Sequence, residues 1–303
     1  MKIAKYQIEW PTLLLIAIVY VGWLIAGGIL YQQSAALALL CMAVLNALHS
    51  SLVHEVIHGH PTRNSRVNMA LVFMNIAIIW PFERYRKMHL CHHADERLTD
   101  PFDDPESYYL ALYAYDSFPA WAKVILGLSN TLLGRLILGP LLSTTALIMT
   151  DLRAALCLKA EVVRAWILHL IGLFPILLCV TLVFEIPVWL YLVTSCYGGA
   201  AIISLRTFAE HRWHETPEGR TIIAERSPLS ILFLNNNLHL VHHKNPSTPW
   251  YELPRLYRKN RAYWAKLNHG YVYPNYWKLF QSFALNAKEP VAHPFWHRRK
   301  ETK

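Results

Sequence analysis

Apolar residues in this chain run in long unbroken blocks separated by short polar stretches. Residues 11–31, 34–53, 165–184 and 187–205 hold no Asp, Glu, Lys or Arg. Each block is about 20 residues, the length of helix that crosses a bilayer core. The pattern predicts an all-α membrane protein with four transmembrane helices, built as a single domain over residues 1–303. The first block exceeds a signal-peptide core of about 7 to 15 residues and is expected to stay attached. Two further apolar segments, 67–82 and 124–149, are less clear, and the second carries Arg135.

Between the blocks the polar positions concentrate into histidine clusters: His54 and His58; His89, His92 and His93; His239, His242 and His243. A helix turns residues three and four apart onto one side, so each cluster aims its imidazoles at a common point. If all three serve one site, an even number of crossings separates each from the next. Segment 67–82 is then re-entrant or interfacial. Segment 124–149 becomes a hairpin, a re-entrant helix or a surface-lying helix, and the clusters form a histidine-rich helical cap. The proposed outer connections, Gln32-Gln33 and Glu185-Ile186, contain no Lys or Arg, which places the basic residues and the histidines on the cytoplasmic side.

Composition agrees, with 54% hydrophobic and 16% charged residues. The tail 255–303 holds eleven Lys/Arg and two Glu, a surplus of nine that equals the net charge of the whole chain. It is interleaved with Tyr257, Tyr263, Trp264, Tyr273, Tyr276 and Trp277. Next to membrane spans this reads as an interface segment rather than a nucleic-acid surface. The five cysteines show no paired spacing and are expected to be reduced, Cys91 being turned off the ligand face.

Taken alone, His54, Glu55 and His58 match a zinc metalloprotease helix with Glu55 as general base. That reading leaves the other two clusters without work, because such a zinc needs only one more protein ligand and a water. Histidines in this number suit two irons with open positions for dioxygen. A histidine-rich metal-binding or transport protein is the non-enzyme alternative, although the ligands gather at span ends rather than through the spans. His49, His169, His269, His293 and His297 are read as satisfied structural residues. His60 is expected near the metal or supporting a ligand, and one of His211 and His214 is expected to be a ninth ligand. Glu55 and Glu210 adjoin ligand candidates and are expected to orient imidazoles. Asp103, Asp104 and Glu106 read equally well as a solvated loop. Asn235, one turn before His239, is a candidate to hold a metal-bound water.

These three boxes, in order and at this spacing, resemble those of the integral-membrane fatty acid desaturase and hydroxylase superfamily, over roughly residues 45 to 255. Glu210-His211 is similar to the Glu-His of the alkane hydroxylases, which favours His211 over His214. The stretch 226–254 is similar to the end of bacterial carotenoid ketolases. The resemblance implies a non-haem diiron site held by His54, His58, His89, His92, His93, His211, His239, His242 and His243. It implies oxygen-dependent desaturation of a fatty acyl or lipid chain. A monooxygenase outcome (hydroxylation or ketone formation on an alkyl, fatty acid or terpenoid chain) and oxidative decarboxylation remain alternatives. Electrons would come from a separate carrier of ferredoxin, rubredoxin or cytochrome type, for which the basic tail, including Arg298, Arg299 and Lys300, is a candidate dock. The expected location is the bacterial inner membrane.

Overall fold

The computed structural model describes residues 8–94 and 97–294, so Asp95, His297 and the Arg298–Lys300 triplet lie outside the described residues. In chain order the helices are α1 (Trp10–Gln33), α2 (Ala35–Ile57), α3 (Ser65–Leu71), α4 (Phe82–Ala94), α5 (Leu112–Asp116), α6 (Ala120–Ser129), α7 (Leu132–Leu156), α8 (Ala160–Val183), α9 (Val188–Glu210), α10 (His239–Lys244), α11 (Leu253–Lys259), α12 (Arg261–Leu267) and α13 (Tyr276–Phe283). Two short strands, Ile223–Ala224 and Val272–Tyr273, pair in parallel and tie the tail to the rest of the cap.

The four expected spans are α1, α2, α8 and α9. Two of them continue past their apolar blocks, so that α2 ends with His54 on its last turn and α9 ends on Glu210. Their shared core is mostly aliphatic and holds one aromatic cluster, in which Trp23 meets Phe184 edge-on at 4.8 Å. Gly27 lets α1 come this close, because a Cβ there would lie 2.2 Å from the Phe184 ring. The buried Tyr191 hydroxyl accepts from Trp23 Nε1 at 2.9 Å and donates to the Ile76 carbonyl at 2.7 Å.

Segment 67–82, expected to be re-entrant or interfacial, forms no helix long enough to cross. After the short α3 the chain is irregular, and its carbonyls are satisfied by side chains from the spans. Tyr20 donates to Met74 O, Tyr191 to Ile76 O, and His169 Nε2 lies 2.6 Å from Ile78 O. Non-helical backbone survives at membrane depth only with such partners. His169 is thus the satisfied residue expected, whereas His49 meets the Tyr20 hydroxyl at 3.2 Å through Nε2 while its buried Nδ1 has no hydrogen-bond partner.

Segment 124–149 is a different case. Thr131, whose Oγ1 accepts from Gly134 N, divides it into α6 and the 25-residue α7, a fifth helix long and apolar enough to cross. Near its start, the Arg135 guanidinium lies 4.9 Å from the Tyr108 ring and 6.0 Å from Phe208, at the histidine end of α9. Near its finish, Asp151 pairs with Arg84 on α4 at 2.6 Å and accepts from Trp166 near the start of α8. Both ends therefore stand on the histidine side. Since His92 and His211 touch, an even number of crossings separates them, and α8 and α9 supply that pair. The surface-lying alternative is the one the contacts support.

Candidate metal centre

All nine histidines singled out from sequence converge, in two groups. His54, His58, His89, His93 and His242 form one; His92, His211, His239 and His243 form the other. Within each, the donor atoms lie within 4.8 Å of one another. Helix geometry explains the partition. Positions i and i+4 are about 40° apart on a helix, whereas i+3 falls about 60° to the other side. His89 and His93 on α4 therefore stay together while His92 turns to the second group. On α10 His239 and His243 stay together while His242 crosses to the first. Two short helices each straddle both groups, and the His93 and His243 rings stack between them at 4.0 Å.

Hydrogen bonds on the far side of three rings fix their tautomers. His89 Nδ1 is 2.9 Å from Glu106, His92 Nδ1 is 2.9 Å from Asp104, and His239 Nδ1 is 2.9 Å from Asn236 Oδ1. Asn236 presents its oxygen to His239 because its own Nδ2 donates to Glu210 at 2.7 Å, and Glu210 pairs with Arg206. Each of these imidazoles holds its proton on Nδ1 and turns an Nε2 lone pair inward. Those lone pairs meet other ring nitrogens: His89 and His58 Nε2 are 2.9 Å apart, His92 and His211 3.1 Å, His239 and His211 3.0 Å, His243 and His239 3.1 Å. Lone pairs so close repel unless something positive lies between them. Nitrogens about 2.1 Å from one ion and at right angles to each other sit about 3 Å apart. The buried Nε2 atoms of His54, His93 and His242 have no hydrogen-bond partner, as expected of atoms that await a metal; on His211 the unpartnered atom is Nδ1, and Nε2 is the one that meets His92 and His239. The residues present fit two metal ions.

Electrostatics points the same way. Burial, then neighbouring imidazoles, pushes His58, His93, His239, His242 and His243 well below the usual histidine range, which favours the neutral ligating form. His211 is pushed down by burial, His92 and Lys288. His92 departs from this trend: burial alone would lower it, but Glu106 and Asp104 lift it to about 9. That rise favours a proton on Nε2, which a metal ion would displace while Nδ1 keeps its bond to Asp104.

The weaker candidates scatter. Glu55 orients no imidazole of the two groups; its Oε1 accepts from Trp250 N at 2.9 Å and faces His60 at 3.9 Å. This also departs from the zinc-protease arrangement, where that glutamate would attend the metal's water. His60 is fully buried against Glu9, at 2.7 and 2.9 Å, outside both groups. His214 lies against His269, ring centroids 4.6 Å apart, and accepts from Thr216 N, so it joins neither group. Asn235 does not face the centre: its amide donates to Trp250 O, and the neighbouring Asn236 makes the contact with His239. Glu210 does support His239, through Asn236.

Asp104 and Glu106 belong to the site rather than to a solvated loop, whereas Asp103 is exposed and pairs with Arg97. Sequence reasoning missed Asn236, Arg206 and Lys288. The Lys288 Nζ donates to the carbonyls of Phe208 and His211, and Tyr108 donates to His211 O as well, fixing the backbone that presents His211. Only the Asn run before the third box hinted at any of these.

Residues 32–275 match the family described as fatty acid desaturase. No curated protein gives a significant match. With apolar spans, three histidine boxes and a family match over most of its length, the chain is an integral membrane protein that belongs to the fatty acid desaturase family.

Proposed function

We propose that the protein is an oxygen-dependent diiron desaturase that introduces a double bond into a fatty acyl or lipid chain. The observation that carries this is the convergence of nine imidazoles, five and four, three of them held with Nε2 inward by Glu106, Asp104 and Asn236. Overall, a CH2–CH2 unit, one dioxygen, two electrons and two protons become a CH=CH unit and two waters. Iron bound by the two groups would supply dioxygen activation and hydrogen abstraction from an unactivated carbon.

The chain's own residues hold that centre in place. Buried carboxylates and Asn236 keep the ring orientations, and the Arg206–Glu210 pair keeps the Asn236 amide from flipping. Membrane spans bring an apolar substrate to the centre from the bilayer, where alignment matters: a displacement of about 1 Å costs on the order of a hundredfold in rate. The histidine side is the cytoplasmic one by the positive-inside rule. A separate electron carrier of ferredoxin, rubredoxin or cytochrome type would meet that side, where Arg255, Arg258, Lys259 and Lys266 on α11 and α12 are exposed cations suited to an acidic partner.

The test is metal analysis with Mössbauer spectroscopy on detergent-purified protein, followed by lipid product profiling. Two coupled irons and a new alkene are expected in the wild type. His92→Ala and His242→Ala, one from each group, should each abolish product, whereas His214→Ala should not. An alcohol or ketone product would move the reading to hydroxylation. One zinc with no iron would refute it.

A further inference from the structure

Large apolar side chains stand exposed on α6, α7 and α13, alongside the exposed polar residues Thr150 and Arg153 of α7 and Lys278 and Gln281 of α13. On α7, Ile137, Leu141, Ile148 and Leu152 are 47–64% exposed. At 100° per residue they fall within a stripe about 60° wide. Two charged side chains of this helix are bonded within the protein: Arg135 bonds Asn130 and Ser129 O, and Asp151 is 2% exposed beneath Arg84 and Trp166. The exposed Ser143, Thr150 and Arg153 lie on the other side of the helix from the stripe. On α6, Trp121 is 69% exposed. On the tail helix α13, Trp277 is 62% exposed and stacks on Phe280 at 5.2 Å. The three helices are joined: Leu133 N, at the start of α7, donates to Ala284 O just past α13, and only Asn130 and Thr131 separate α6 from α7.

A contiguous apolar stripe over several turns exceeds the scattered hydrophobics of an ordinary wet surface. Its occupant follows from continuity. The same helix that carries the stripe packs directly on α9, a membrane span, with Tyr197 donating to Ile137 O and the Ser204 hydroxyl 3.2 Å from where a Gly139 Cβ would be. Both ends of α7 nevertheless stay on the histidine side. An apolar face that adjoins a span but does not cross lies along the boundary between headgroups and acyl chains.

We propose that α6, α7 and α13 form a shelf embedded in one leaflet, the one on the histidine side, with lipid acyl chains as its partner. The tail thus has two parts: α11 and α12 expose cations, while α13 is a membrane-anchoring helix too short to span. The proposal is independent of the metal's identity and of the reaction.

The experiment is spin labelling of the full chain in phosphatidylcholine vesicles, at Val124→Cys, Leu141→Cys and Leu285→Cys, with exposed Cys91 and Cys157 changed to serine. Oxygen and a water-soluble nickel chelate compete as relaxing agents. Oxygen should dominate at all three sites, at a depth of about 5–10 Å below the phosphates, while Arg258→Cys should be dominated by nickel. Nickel dominance at the three shelf sites would overturn the proposal. So would labels shielded from both agents, the signature of a second copy of the chain, or a Leu141 label at the bilayer midplane, the signature of a fifth span. Because each site is read separately, one variant that fails to fold leaves the other two to decide.

Discussion

A histidine becomes a metal ligand or a structural donor according to what holds its second nitrogen, and the two adjacent aspartates 103 and 104 separate the cases. Asp104 is buried, accepts from His92 Nδ1 and also from the backbone N–H groups of Thr99 and Glu106 at 2.7 and 2.9 Å. Asp103 points to solvent with Arg97. Replacing Asp104 by alanine strips His92 of its tautomer lock, and losses of this kind weaken metal binding by about 10- to 100-fold. Chelator competition on purified protein should therefore find Asp104→Ala weakened by that factor and Asp103→Ala unchanged. Equal affinities would mean that the lock does not matter. At this scale the convergence of the histidines was legible from sequence because spacing of three and four residues is a local, helical property. Their supporting residues were not, because the sequence holds four acids within a few residues of one another and only the folded loop over 97–107 decides which are buried. Asn235 and Asn236 were confused for the same reason. The positive φ of Asn235 turns the chain just before α10 and hands the contact to its neighbour.

Helix ends, more than helix middles, decide whether the elements can build the centre. The end of α9 leaves carbonyls without helical partners, and Lys288, nearly eighty residues later, donates to those of Phe208 and His211. His211 itself is extended, with φ near −127°, and follows directly on the helix. Lys288→Met keeps the stem's packing and removes the donor. The expected result is a folded protein whose second group, which depends on His211, binds metal roughly tenfold more weakly, a figure taken from the general cost of removing a ligand's support. The first group should be unaffected. Mössbauer spectra would then lose one iron site selectively, and equal loss of both would assign Lys288 to overall stability instead. Periodicity found the four spans because each is a self-contained run. It could not find this clamp, nor the ends of α2 and α9, where the helix continues past the apolar block because ligand positions and buried ion pairs, not lipid, hold the last turns.

For the whole molecule, topology follows from a parity that no single element shows. Among the described residues five helices have spanning length, yet His92 and His211 meet, so a shared site requires that one of the three helices between them fail to cross. Hydropathy cannot choose among the three, since α7, α8 and α9 all pass on length and composition. The choice is made by Arg135 and Asp151, whose partners on α9, α4 and α8 pull both ends of α7 to the histidine side. A half-buried arginine and a buried aspartate in so apolar a helix are costly unless their polar atoms are bonded, and here both are satisfied. Native cysteines report the outcome directly. Cys91 is exposed on the second histidine helix, and Cys157 is exposed immediately after α7. If α7 lies along one leaflet, a membrane-impermeant maleimide should label both from the same side of sealed, oriented vesicles, with mass spectrometry of the two peptides as the readout. If α7 crosses, the labels divide between the two sides. That result would place α8 and α9 in the opposite sense and separate His211 from His92, so the nine-histidine centre and the topology stand or fall together.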